Sequence, residues 1–321
     1  AAHLATGLSH ATKAPLAQQA QLHEDWSYEA GIAIGINDDI IAARHRAIGL
    51  WRELGKKDAI ARNYRWLSRM HWYRGEAELA YDYIGQALAA LDGLSETEEH
   101  AWAYSALSQM HMLNDRTDDA VTWGERAISL SRKLGANEPR IHALNNVASA
   151  KLFSGRDGGM PLMQQSLELA LEHGFHEQAA RAYTNMTGYA VTQRKFALAE
   201  QMLAEGLSFD TRHDLDSWTH YLIGRKAQLR MDQGRLRDAV DMARSVLSLD
   251  RLTLVMKLPA RSVLGRSASR LGLDEAPTVM EQALTDAVSV GEPQHLCPTR
   301  LALIEHHWFT GELDACIRHL D

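Results

Sequence analysis

One layout of residues recurs along this chain at steps of 38 to 40 positions, and it leaves few folds open. Turn residues fall at Gly35, Gly75, Asp115, Gly155, Arg194, Gly234, Gly272 and Gly311. Five residues after each stand Ile40, Ala80, Ala120, Met160, Ala199, Ala239, Pro277 and Cys316, mostly small. Seven before each stand Tyr28, Ser68, Ser108, Ala148, Thr187, Ala227, Gly265 and Ile304, again mostly small. Two backbones are therefore expected to approach closely on either side of every turn. Thirteen residues after the turn an apolar position recurs, as at Ile48, Leu88, Ile128, Leu207 and Leu247. Glu168 and Thr285 break it, but Leu167 and Leu284 stand one place earlier, so the fourth and seventh units slip by one residue. A fixed period of this length with small-residue slots and an apolar register marks a solenoid of helical hairpins.

Within each unit the apolar residues recur at three and four, as at Leu198, Met202 and Leu207, which is helix periodicity. No β-branched run alternates for more than three or four residues, so strands are not expected. Pro139, Pro259 and Pro298 fall at or near the starts of first helices, where a missing N–H costs little. The reading is an all-α, right-handed superhelical solenoid of about eight antiparallel hairpins, with three-quarters or more of the residues helical. Length alone predicts about two domains for 321 residues. A solenoid adds units without closing a core, so a single domain over 1–321 is expected. The chain starts within helical sequence and carries no polar capping helix at its end, which points to a piece of a longer multidomain protein.

Composition then removes function classes. No run of ~18 apolar residues is present, so no membrane span is expected. The opening AAHLATGLSHATKAPLAQQA lacks the apolar centre of a secretion signal. Two cysteines, Cys297 and Cys316, make no disulfide framework, and reduced thiols in a cytoplasmic setting are the simplest reading. A net charge of -7 speaks against wide contact with phosphates, so direct nucleic-acid binding is not expected.

Catalytic and metal motifs are absent too. No phosphate loop ending in Gly-Lys-Ser/Thr occurs, and Ser154–Gly159, SGRDGG, reads as a hairpin turn. Sixteen histidines lack the i, i+4 pairing of a helix-borne zinc site: EHHW at 305–308 has the wrong spacing, and His173 and His176 flank a turn glycine. No nucleophile elbow exists and neither cysteine has a catalytic surround. The expectation is no enzyme, no catalytic residue, no metal and no cofactor.

A polar inner face is the remaining candidate. The repeat resembles the tetratricopeptide pattern, stretched to about 40 residues: a small residue precedes the turn, Gly marks it, Ala follows five later, and Tyr64, Tyr104 and Tyr183 open first helices. In such solenoids the first helix of each hairpin lines the concave side, at about the second, fifth, ninth and twelfth places, with the turn as the fifteenth. Those places hold Arg62, Arg65, Arg69 and Trp72, then Trp102, Ser105, Gln109 and Met112, then His142, Asn145 and Ser149, then Arg181 and Thr184 with Asn185 adjacent. Arg offers a planar fork for carboxylate or phosphate, Trp offers area with one polar handle, and Asn and Gln satisfy peptide groups. Arg62, Arg65 and Arg69 share one helix face through their spacing, a local positive patch on a net-negative chain. The ligand groove is therefore assigned to Arg62, Arg65, Arg69, Trp72, Trp102, Gln109, His142, Asn145, Arg181 and Asn185. The bland alternative is that these groups satisfy one another or only pack hairpin on hairpin.

A narrower likeness covers most of the chain. RWLSRMHWYRGEAELA, AYSALSQMHMLNDRTDDAVTWGERAISLSRKLG, HALNNVASA and AARAYTNMTGY are similar to the helical-repeat region of large bacterial ATP-binding transcriptional regulators of the LuxR and maltose-regulon-activator type. That resemblance implies a sensor and protein-contact module. It would bind a peptide, protein segment or small anionic effector in its groove and control an attached ATP-dependent regulator, with DNA bound by another domain. The competing reading is a plain scaffold or a self-associating homodimer with no small effector.

Overall fold

The computed structural model describes residues 1–250 and 252–319. About 83% of the residues are helical, and no strand occurs among the described residues. A leading helix α1 (Ala2–His10) and a single 3-10 turn (Ala11–Lys13) precede eight hairpins, and Pro15 caps the first of them. The hairpins are α2 (Leu16–Ile34) with α3 (Asp38–Glu53), α4 (Lys57–Tyr73) with α5 (Ala77–Leu91), and α6 (Glu98–Leu113) with α7 (Thr117–Leu134). Then come α8 (Asn137–Phe153) with α9 (Gly159–Glu172), α10 (His176–Thr192) with α11 (Phe196–Arg212), and α12 (Asp216–Asp232) with α13 (Leu236–Leu247). The last two are α14 (Leu254–Leu271) with α15 (Ala276–Val290) and α16 (Pro293–Thr310) with α17 (Leu313–Arg318).

The repeat exists because seven of the eight hairpins are turned by the same backbone device, the first, at Gly35, lacking its closing bonds among the described residues. All eight turn positions have positive φ, including the two that are not glycine, Asp115 at 56° and Arg194 at 52°. The cause is visible in the hydrogen bonds. Glu76 N–H reaches back to His71 O at 2.9 Å while Gly75 N–H bonds Trp72 O at 2.9 Å, the paired closure of a helix that requires a left-handed residue between. Arg116 to His111, Arg156 to Lys151, Lys195 to Ala190 and Arg235 to Arg230 repeat the longer bond at 2.8–2.9 Å. Side chains other than Gly cost about 1–2 kcal/mol there, so the exposed Asp115 and Arg194 are held by the closing hydrogen bonds of Arg116 and Lys195.

The small residues before and after the turn meet. Ser68 Oγ donates to Ala80 O at 2.7 Å, and Ser108 Oγ donates to Ala120 O at 2.6 Å, each joining the two helices of one hairpin. Ala80, Ala120, Ala199 and Ala239 are completely buried. The slips read from the sequence are real: in the fourth hairpin Gly159 takes the close slot, where a Cβ would lie 3.1 Å from Ala148 O, and in the seventh Ala276 is buried there. Cys316 occupies the slot in the eighth hairpin, its thiol donating to Ile304 O at 3.4 Å, whereas Cys297 is exposed. Pro139 stands in the first turn of α8 as expected, and Pro161 stands in the first turn of α9. Pro259 and Pro298 lie further in, at the sixth residue of α14 and of α16.

Stacking places the first helices inside. α4, α6, α8, α10, α12, α14 and α16 each contact the next in that series, while α5, α7, α9 and α11 pack on their own partner and the following first helix. Core clusters form between neighbouring hairpins, not around one centre: Ile141, Met163, Tyr183 and Met202 in one, Ala227, Val240, Val263 and Leu264 in another. The outer side of the last hairpin leaves Trp308, Phe309, Leu313 and Ile317 exposed. The curvature carries the series through a full turn, so that α14 touches α4. Ser289 Oγ donates to Gly75 O at 3.2 Å, and Trp72 Nε1 donates to the Glu292 carboxylate. Trp72 also packs on Val255, Leu258, Ala287 and Val290. Gly75 is required at this seam for space as well as for its φ of 77°, since a Cβ would come within 2.8 Å of Leu254. Hairpins two to seven thus close a ring around a channel.

Two outcomes test this packing. At Gly124 an added methyl would meet Val147 at 2.3 Å and Ser108 Oγ at 2.9 Å. Gly124→Ala is expected to lower unfolding free energy by about 1–3 kcal/mol in urea denaturation. Leu254→Glu places a charge in the seam, and the expected result is a larger radius of gyration by small-angle scattering with helicity retained.

Candidate functional site

The ring positions one face of each first helix toward the channel, and the channel has a narrow and a wide part. The narrow part is a cavity of ≈ 80 Å³ lined by Arg69, Trp72, Gln109, His142, Arg181 and Asn185 among others. Six of the ten residues expected from sequence therefore surround one cavity. Arg65 and Trp102 line a small annex of ≈ 30 Å³ beside Arg69, Trp72, Gln109 and His142. The wide part, ≈ 430 Å³, is walled by Met112, Phe153, Met231, Leu258, Val263 and Arg225, with Pro259 and Pro298 also on its lining. It joins the narrow part at Met112, Phe153, Arg225, Gln294 and His295, which line both. Arg62 and Asn145 border neither part.

The three arginines of α4 are not an unpaired positive patch. Arg62 Nε donates to Glu24 at 3.1 Å, Arg65 Nε lies 3.8 Å from Glu99, and Arg69 pairs with Glu177 from α10, 108 residues away on the facing wall. Arg65 also stacks over Trp102 at 4.6 Å, and Arg69 over Trp66 at 5.3 Å. Burial pulls Arg65 below the usual guanidinium range, while burial acting on Arg69 is overcome by Glu177 and Tyr73, which raise it. Sequence spacing could not show the carboxylates, because Glu24, Glu99 and Glu177 come from three other hairpins and lie off the inner-face places.

Deeper along the channel the polar groups form a buried ladder. Ser105 Oγ lies 2.7 Å from His142 Nδ1, and Asn146 Nδ2 donates to Ser105 O at 2.8 Å. Arg181 donates to Asn146 Oδ1 at 2.5 Å, and Asn185 Nδ2 donates to Asn145 Oδ1 at 2.6 Å and to Ser149 Oγ at 3.1 Å. Asn145 Nδ2 has no hydrogen-bond partner among the described residues. Burial first, and then Arg181, drive the His142 pKa well below 6.5, so its imidazole is neutral. His295 is pushed down to about 3 by burial with help from Arg225, so it too carries no charge.

Three channel-lining groups, Arg225, Gln294 and His295, and the seam residue Glu292 were not chosen by the inner-face rule. Arg225 sits one place past Gly224 on α12, and a Cβ on Gly188 would lie 3.7 Å from its Nε, so that glycine leaves room for the guanidinium. Glu292 caps α16 at the seam, where Gln294 Nε2 also donates to it at 2.6 Å. The same rule carried into α12 and α14 gives Tyr221, Gln228, Ser262 and Arg266, all on the channel lining. The described residues contain no group of three or more His, Cys, Asp or Glu that could hold a metal ion. No described helix is long and apolar enough to cross a membrane. The channel offers donors, acceptors and apolar walls, the chemistry of recognition.

No protein-family model and no curated protein sequence matches the chain. Solved structures share its fold. A Rap protein complexed with competence and sporulation factor superposes with a TM-score of 0.60 at 13% identity, covering 99% of this chain and 95% of that one. NprR in complex with its cognate peptide NprX gives a TM-score of 0.62 at 12% identity, covering 94% and 87%. A signal-transduction ATPase with numerous domains from Pyrococcus horikoshii, which carries a tetratricopeptide repeat sensor, gives 0.51 at 16% identity, covering 85% of this chain and 44% of that one. These likenesses establish a tetratricopeptide-like helical-repeat fold.

The seam carboxylate makes stability depend on pH. Burial lifts Glu292 from its ordinary value to about 7, against hydrogen bonds from Trp72 and Gln294 that favour the anion. A carboxyl that binds its proton more tightly when folded contributes stability at low pH and loses it as pH rises from about 4.5 toward 7. Asp210, fully buried and also lifted to about 7 by burial, acts in the same direction elsewhere. Glu292→Gln is therefore expected to melt with a weaker decline across that pH window than the parent chain, the difference isolating Glu292 because Asp210 is common to both.

Proposed function

We propose that this chain is a non-enzymatic regulatory repeat domain that takes a peptide or extended protein segment into its channel. The observation that carries the reading is the closed ring itself. It presents amides, indoles and guanidinium groups to a bore whose narrow and wide parts are continuous. Asn185 and Gln228 stand on successive first helices, the one lining the narrow part and the other the wide part, where their amides can meet peptide groups. The wide part adds Met112, Met231, Leu258 and Val263 for apolar side chains. Two proteins of the same fold over nearly their whole length are complexed with such ligands, a Rap protein with competence and sporulation factor and NprR with its cognate peptide. Glu99 and Glu177 are tied up in ion pairs and His142 and His295 are neutral, which favours binding over acid–base chemistry.

In this reading the domain is the sensor of a longer, cytoplasmic, ATP-dependent transcriptional regulator of the LuxR type. It touches protein and not nucleic acid. The repeat sensor of the signal-transduction ATPase supports that arrangement. Ligand binding then biases the ring between two arrangements, and it does so only by the difference of its affinities for them. The residues proposed to meet the ligand are Arg69, Trp72, Gln109, His142, Arg181 and Asn185 around the narrow part, with Trp102 and Arg65 in its annex. Arg62 and Asn145 are proposed to hold those groups in place.

The test is affinity selection from a random heptapeptide library, read by ultrafiltration and mass spectrometry. The parent chain is expected to retain a defined subset. Asn185→Ala combined with Gln228→Ala is expected to weaken retention about tenfold, the loss of one to two net hydrogen bonds, with unchanged far-ultraviolet dichroism. Retention of no peptide by the parent chain would refute the reading.

A further inference from the structure

We propose that Arg181 and Arg225 together hold a carboxylate of an acidic peptide at the narrow part of the channel, either its C-terminal group or an Asp or Glu side chain. The proposal rests on the peptide reading above and narrows it to a ligand chemistry and a subsite.

The argument begins with the partners of the channel cations. Arg65 faces Glu99, Arg69 faces Glu177, and Arg266 faces Glu305 at 2.7 Å. Arg181 and Arg225 line the same cavity, and neither has a carboxylate within ion-pair distance among the described residues. Arg181 is 7% exposed, and its acceptors are the neutral Asn146 Oδ1 at 2.5 Å and His142 O at 3.5 Å. Arg225 donates to Tyr221 Oη at 2.8 Å and Gln228 Oε1 at 3.0 Å, and its Nε is buried with no partner. A buried cation without a counter-charge costs several kcal/mol; Arg181 is one, and the half-buried Arg225, whose Nε is buried and unpartnered, adds a second guanidinium, so the lining is built for an anion.

The other groups facing these two do not supply that anion. Glu177 is bound to Arg69, and His142 and His295 are neutral. Glu292, lifted to about 7, is engaged by Trp72 and Gln294. Burial and Arg69 lower Arg181 only to about 10, so it stays charged at neutral pH. Asp115 lines the wide part, which confines selection for acid to the narrow part. The size and geometry favour a carboxylate: a space of ≈ 80 Å³ suits a small planar group, and a guanidinium fork matches its two oxygens. The adjoining apolar wall accepts the residues next to it.

The experiment uses the same heptapeptide selection with two libraries, one with free C-termini and one amidated. The parent chain is expected to enrich carboxylate-bearing peptides about tenfold, the worth of roughly 1.4 kcal/mol. Loss of the bias on amidation would assign the C-terminal group, and its persistence as Asp or Glu enrichment would assign a side chain. Arg225→Gln is expected to abolish the enrichment, while Arg212→Gln, an exposed cation outside the channel, leaves it intact. Arg225→Lys, which keeps the charge but loses the fork, is expected to fall between and guards against a folding artefact. Peptides retained without acidic bias, or a bias untouched by Arg225→Gln, would overturn the carboxylate site and leave the peptide reading standing. Displacement by inorganic phosphate as effective as that by N-acetylglutamate would overturn it in favour of phosphate. No retention at all would sink the peptide reading itself.

Discussion

The contact between a small residue before each turn and a small residue after it sets everything else. With Ser68 on Ala80 and Ser108 on Ala120, the two helix backbones of a hairpin lie close enough for a hydroxyl to reach a carbonyl across the gap. The left-handed turn residue fixes the angle at which they diverge. Because this geometry repeats with little variation, each hairpin is offset from the last by a similar small rotation. Curvature is then a sum of identical steps, and the ring follows from the count of hairpins and not from any single long-range attraction.

That origin explains the character of the channel. The inner helices crowd together while the outer ones splay, so side chains at the inner-face places meet across the bore as well as along it. Arg69 finds its carboxylate on the opposite wall, three hairpins on. Trp72 finds Glu292 at the seam, 220 residues away. A polar lumen in a ring must solve its own charge balance, and here it does so for most cations by pairing and for most histidines by neutrality. The two guanidinium groups left over are what give the bore a preference.

Much of this was readable from residues alone, for reasons that are local. The turn residues, the small slots and even the one-residue slips of the fourth and seventh units, read from Leu167 and Leu284, are dictated by contacts within a hairpin or between neighbours, and a period exposes them. The inner-face rule likewise found Arg69, Trp72, Gln109, His142 and Arg181. What it missed lies off the inner-face places or depends on closure. The same rule places Arg62, Arg65 and Arg69 on one face but says nothing of Glu24, Glu99 and Glu177, which approach from other hairpins. Arg225 is off the rule by one place. Glu292 matters only because curvature brings the end of α15 to the turn after α4, and no periodicity in the sequence encodes where a spiral meets itself.

The seam also changes how such a chain comes apart. An open array of hairpins frays from its termini, each unit lost at the expense of one interface. Joining hairpin two to hairpin seven means that the interior units have no free end, so local opening there must break a second boundary or strain the whole circle. Assembly runs the other way: neighbour contacts form along the chain with short loops, and the junction at Gly75, bridging more than two hundred residues, shuts last.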